Sequence, residues 1–220
     1  MGNVAHAGRG PGTVALLAGG YEPVRERLAI DIAEEVLRGA LAEDQRPGLD
    51  ALAGIVRSAH HAVDAWITES DRRDLWEWGA SVAIIVVDGP TARIAQLGDV
   101  TTALARGRLL ITIGHEHTVG QRARWPEGWN VPEGLGGVVL QALGATSVPW
   151  ISLAQVDLAP GDRLVITSRH ATRGTASLDR AAHAAPAAVL AETIVAAGEA
   201  DRDRACVVIA IDALATGPYR

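Results

Sequence analysis

The stretch Leu158 to His170 reads LAPGDRLVITSRH, and it decides how the rest of the chain is read. Pro160, Gly161 and Asp162 form a tight-turn signal, because proline presets one dihedral and glycine tolerates conformations that other residues resist. The turn feeds a short apolar strand, Leu164 to Thr167, which ends at Ser168. Arg169 and His170 follow directly, so a permanent cation stands just beyond the strand end.

Working outward, 220 residues suit one domain spanning 1 to 220, and 48% hydrophobic content is ample for a core. A charged fraction of 21% argues against wholesale disorder. The net charge of −6 argues against a general nucleic-acid binder. All 20 basic residues are arginine and phenylalanine is absent, a bias of GC-rich genomes that points to a prokaryotic source. The single Cys206 lies in the apolar run CVVIAI, which excludes a disulfide framework and predicts a buried, inert thiol. No segment has the pattern of a signal peptide or the roughly 18 uninterrupted apolar residues of a membrane span, so a soluble cytoplasmic protein is expected.

Thr13 to Ala18 reads as a buried strand between glycine-rich stretches. Pro23 opens a helix to about Ala42, with Val24, Leu28, Ile32, Val36 and Leu37 expected on its apolar side. A second helix carries Leu49, Leu52, Val56, Ala59, Val63 and Trp66 at three- and four-residue steps. Two successive helices argue against regular βαβ alternation. From Ala80 the pattern turns to strands. Ser81 to Val87 and Thr91 to Leu97 flank an Asp88-Gly89 hairpin signal, and Thr102 to Ala105 and Leu109 to Thr112 flank Arg106-Gly107. Arg122 to Gly137, rich in Gly, Pro and Trp, reads as irregular surface. Strands near Ile151 to Val156 and Arg163 to Thr167, a helix from Pro186 to about Ala197, and a strand from Ala205 to Ile211 complete an α+β pattern with layered sheets.

Four segments, in order, carry a family resemblance. The stretch from Gly79 to Thr118 contains Gly98-Asp99-Val100-Thr101 and Glu116-His117-Thr118, where the metal-dependent (type 2C, PPM) Ser/Thr protein phosphatases have Gly-Asp-Ser-Arg and Asp-His-Ser. Leu140 to Gly144, LQALG, is similar to that family's T-R-x-L-G. LAPGDRLVITSRH resembles its L-x-P-G-D segment ending in Ser-Asp-Gly, and ADRDRACVVIAI resembles its closing Asp-Asn strand. The resemblance covers about residues 13 to 212 and implies a four-layer α/β/β/α sandwich.

It also implies a two-metal site, held by an N-terminal carboxylate pair, an Asp-Gly, the Ser-Asp-Gly and the last Asp. Divalent Mn or Mg requires such oxygen ligands. Residues 1 to 21 contain no Asp or Glu, and the Asp-Gly position reads Ala18-Gly19. Ser-Asp-Gly has become Ser168-Arg169-His170, which leaves Asp203 as the surviving ligand position. A unit charge pair about 4 Å apart interacts by roughly 4 kcal/mol at an effective dielectric near 20, so Arg169 beside a divalent ion would cost about twice that. Asp88-Gly89 also reads VVDG, but it lies between two strands rather than before a helix, and reads as a hairpin turn.

The resemblance with these losses implies a pseudophosphatase acting by binding in phospho-signalling, with no cofactor and with a protein or phosphoprotein partner. The alternative is an active Ser/Thr phosphatase with a reduced Mn or Mg site using Asp203 and Asp99. Arg9, Arg169 and Arg204 are candidates for binding phosphate, since guanidinium forks suit its oxygens. The competing reading is that Arg169 pairs with Asp203 in place of an ion. His115 and His117 sit two apart on a strand, a spacing that puts both on one face, yet a strand end with hydrogen-bonded histidines is the expected reading. Ser168 lacks the Gly-x-Ser-x-Gly pattern of a nucleophile elbow. Trp76, Trp78, Trp125, Trp129 and Trp150 read mainly as core, with Trp125 and Trp129 as candidates for a partner surface.

Overall fold

A computed structural model describes residues 5–6, 13–19, 23–44, 46–69, 79–121, 131, 135–145, 147–168, 191–192 and 206–212. Its elements are β1 (Ala5–His6), β2 (Thr13–Gly19), α1 (Pro23–Glu43), α2 (Leu49–Glu69), β3 (Ala80–Asp88), β4 (Thr91–Leu97), β5 (Val100–Arg106), β6 (Leu109–Gly114), a 3-10 turn (Leu135–Gly137), β7 (Ser152–Asp157), β8 (Arg163–Ser168) and β9 (Cys206–Ala210). The strands form two antiparallel sheets, ordered β1-β2-β3-β4-β7 and β6-β5-β8-β9.

Side-chain chemistry explains the layering. On β3, Val82, Ile84 and Val86 pack with α1 and α2, while Ala83 and Ile85 turn the other way and meet Leu104, Leu164 and Ile166 of the second sheet. A strand buried on both faces reads as a continuous apolar run. Each fully buried Ile or Leu contributes about 1.5–3 kcal/mol. Helices, sheet and sheet are thus three layers of the expected sandwich. Of the helix expected over Pro186 to Ala197, which would supply the fourth, only residues 191–192 are described, and both are helical.

Three local expectations need correction. On α1 Leu37 is in the core as expected, but Ala29, Ile30, Ala33 and Leu41 share it, and Ile32 and Val36 are only partly buried against it, while the side chains of Val24 and Leu28 lie outside those described. Alanine on that face lets α1 approach its neighbours closely, so burial does not follow side-chain size. The hairpin turns are Gly89-Pro90 and Gly107-Arg108, one residue later than expected, because Asp88 pairs with Thr91 and Arg106 with Leu109. Gly89 and Gly107 take positive φ of 56° and 55°, which places glycine first in each two-residue loop. Trp150, expected in the core, is 64% exposed.

The PGD turn works as a clamp at one end of the sandwich. Asp162 is buried, and its carboxylate accepts from Arg106 Nε (2.9 Å), Arg106 Nη2 (2.6 Å) and the Ala159 N–H (2.7 Å). The Gly161 N–H donates to the Ile211 carbonyl, and the Ile211 N–H donates back to the Asp162 carbonyl. The turn therefore ties the end of β5 to the chain leaving β9.

Candidate functional site

Strand register brings the resemblance positions to the opposite end. Ala18 and Gly19 close β2 and pair with Ser81 and Ala80 at the start of β3. The β4–β5 crossing at Gly98-Asp99 lies there, and Val100 pairs with Ser168, the last residue of β8. Thr167 pairs with Cys206, the first residue of β9, so the chain just after Asp203 reaches the same end. Asp88 lies eight residues along β3 from Ala80, roughly 26 Å at 3.3 Å per residue, and its carboxylate accepts from Arg46 and Arg93. Asp88-Gly89 is structural.

Arg9, Arg169, His170, Asp203 and Arg204 lie outside the described residues, as do Trp76, Trp78, Trp125 and Trp129. The described part of the site centres on Asp99 and Ser81. Ser81 Oγ donates to Asp99 Oδ1 at 2.5 Å, and accepts from the Asp99 N–H at 2.9 Å. Both residues are buried. Gly98 permits the clasp: its φ is +102°, and a Cβ there would lie 2.8 Å from Ser81 Cα. Glu116, the second described carboxylate near this end, accepts from Thr101 Oγ1 at 3.4 Å.

These groups do not make the donor set of a two-metal centre. The end of β2 offers no side-chain oxygen at Ala18 or Gly19, and Oδ1 of Asp99 is held by Ser81. No cluster of three or more His, Cys, Asp or Glu suited to a metal occurs among the described residues.

His117 joins this end to a groove of about 530 Å³ between the β6 and β7 edges, lined in part by Ile113, Leu140, Trp150, Ile151 and Leu153. Its Nδ1 accepts from the Gly98 N–H (3.3 Å), so in the neutral ring the proton sits on Nε2 and is donated to Ser152 Oγ (2.7 Å). Burial lowers the His117 pKa, which keeps the ring neutral at pH 7. With Nε2 acting as donor, Ser152 is not an activated nucleophile. His117 also stacks against Trp150, with ring centroids 5.7 Å apart and planes 3° from parallel. The spacing of His115 and His117 therefore does not describe a shared role, since His115 is exposed while both nitrogens of His117 are engaged. Cys206 is partly buried, and burial pushes its thiol pKa up to about 12, so it is no nucleophile at neutral pH.

Ser81, Ser152 and the groove role of Trp150 escaped the sequence reading. Ser81 left a faint trace as a lone hydroxyl opening an apolar strand. Ser152 left none, because its partner lies 35 residues away.

No protein-family model matches the sequence, and no curated protein sequence matches it. Solved structures do match. The chain is similar to the PPM Ser-Thr phosphatase MsPP from Mycobacterium smegmatis, at 18% identity and TM-score 0.75 over 96% of each chain. It is similar to the S. agalactiae serine/threonine phosphatase at 14% identity and TM-score 0.75, covering 95% of this chain and 92% of that one. It also matches the catalytic domain of the phosphatase PstP in complex with two manganese ions, at 23% identity and TM-score 0.69, covering 94% and 95%. The fold is that of the PPM Ser/Thr phosphatases. No described helix is long and apolar enough to cross a membrane.

Proposed function

We propose that this chain is a single phosphatase-fold domain that acts by binding in cytoplasmic phospho-signalling, a pseudophosphatase with a protein or phosphoprotein partner. One observation carries the reading: the end of β2, where the fold's relatives are expected to place an Asp-Gly ligand, is Ala18-Gly19, beside an Asp99 already clasped by Ser81. Arg169 in the Ser-Asp-Gly position supports the same reading, because a guanidinium stays charged and repels a divalent ion. Arg169 either pairs with Asp203 or, with Arg9 and Arg204, receives an anion.

The second reading, an active phosphatase with a reduced Mn or Mg site at Asp203 and Asp99, draws support from PstP, whose catalytic domain holds two manganese ions. Metals bound there would supply an activated water for attack on phosphorus. This chain's own contribution would be limited to holding them. Hydrolysis of p-nitrophenyl phosphate with millimolar Mn separates the two. We expect no rate above that of an Asp203→Ala variant, and a manganese-dependent rate that this variant loses would establish the enzyme.

A further inference from the structure

We propose that the groove between β6 and β7 is a docking site for an extended, aliphatic-rich segment of a partner protein that carries basic residues at its polar positions. This extends the binding reading but does not depend on lost catalysis, because no groove residue occupies a metal-ligand position.

Of the exposed large hydrophobic side chains among the described residues, Trp150 and Leu153 line this groove, beside Ile113, Leu140 and Ile151. Exposed apolar side chains gathered in one groove mark an interaction site. Among the described residues, β6 and β7 are each the edge of a sheet, so the groove is bordered by backbone groups available to another strand. On β7 the residues alternate in exposure, with Leu153, Gln155 and Asp157 outward, the pattern that strand addition reads.

Trp150 is fixed in its exposed position from two sides. Its ring stacks on buried His117, and its backbone N–H donates to Gln141 Oε1 at 2.9 Å. An exposed aromatic that is already immobilised loses little entropy on binding, which suits it as an anchor.

Charge selects the occupant. Among the described residues lining the groove none is arginine, the one carboxylate is Glu116, and the neutral His117 adds no positive charge. The whole chain carries −6, so a second copy brings like charge together whereas a basic segment is attracted.

The test is calorimetric titration of the full chain with three capped hexapeptides: alternating valine and arginine, alternating valine and glutamate, and alternating valine and phosphoserine. The arginine peptide should bind at least tenfold more tightly than the other two. Trp150→Ala and Leu153→Arg, both at exposed positions, should each weaken it at least tenfold while leaving the circular dichroism spectrum unchanged. No binding of the arginine peptide, equal binding of all three, or tighter binding of the phosphoserine peptide would overturn the proposal. So would unchanged affinity in both variants, or a wild-type dimer that Leu153→Arg dissociates, since the occupant would then be a second copy. Hydrolysis is read separately on p-nitrophenyl phosphate, so failure here leaves the reading of the metal end intact.

Discussion

Gly98→Ala will lose about 3–5 kcal/mol of folding stability, a large effect for a single methyl group. Two costs combine. At φ +102° an L side chain is strained by about 1–3 kcal/mol. The new Cβ would also lie 2.5 Å from Ser81 Cβ and 2.8 Å from Ser81 Cα. Ser81 cannot retreat easily, because it pairs with Ala18 on β2 and its hydroxyl holds Asp99. Urea unfolding should show the midpoint falling with little change in slope. A loss below about 1 kcal/mol would mean that the β4–β5 crossing is not built as described.

Asp162→Ala will cost about 2–3 kcal/mol, because it removes the buried acceptor that serves Arg106 and the Ala159 N–H at once. The hydrogen bond from Arg106 holds the Asp162 pKa below the ordinary carboxylate value. A carboxylate depressed in the folded state contributes its full stabilisation above its unfolded pKa, near 3.9, and loses it as pH falls through the folded value. The stability gap between wild type and Asp162→Asn should therefore be constant from pH 6 to 8 and narrow below about pH 4. A gap that stays constant down to pH 2, read as melting temperature against pH, would remove the clamp from the account.

Much of the architecture was legible because local rules agree with the fold. Val82 to Val86 is apolar without alternation because both faces of β3 are buried, and the flanking turn residues mark it as a strand. The LAPGDRLVITS segment was the most informative because it runs the length of the sandwich. Asp162 anchors one end and Ser168 meets Val100 at the other. On α1 the apolar period points to Leu37 but not to Ala29 and Ala33, small and weakly hydrophobic, which are fully buried while Ile32 and Val36 are only partly so.

That the resemblance positions share one end of the sandwich was legible, whereas the contacts made there were not. Motif order put Ala18-Gly19, Gly98-Asp99 and Ser168 at one end, and register brings them there. Partners separated by long stretches of chain were invisible. Ser81 and Asp99 are 18 residues apart, and His117 and Ser152 are 35 apart. Neither pair has a periodicity or spacing rule that would join it. Trp150 was assigned to the core by its residue type, whereas a buried histidine holds it outward.

The central claim concerns the metal end, and titrating manganese into the chelator-treated full chain by calorimetry tests it most directly. The account predicts no saturable binding at micromolar manganese, and a trace that Asp203→Ala leaves unchanged. Two manganese ions bound per chain, with the heat abolished by Asp203→Ala, would contradict it.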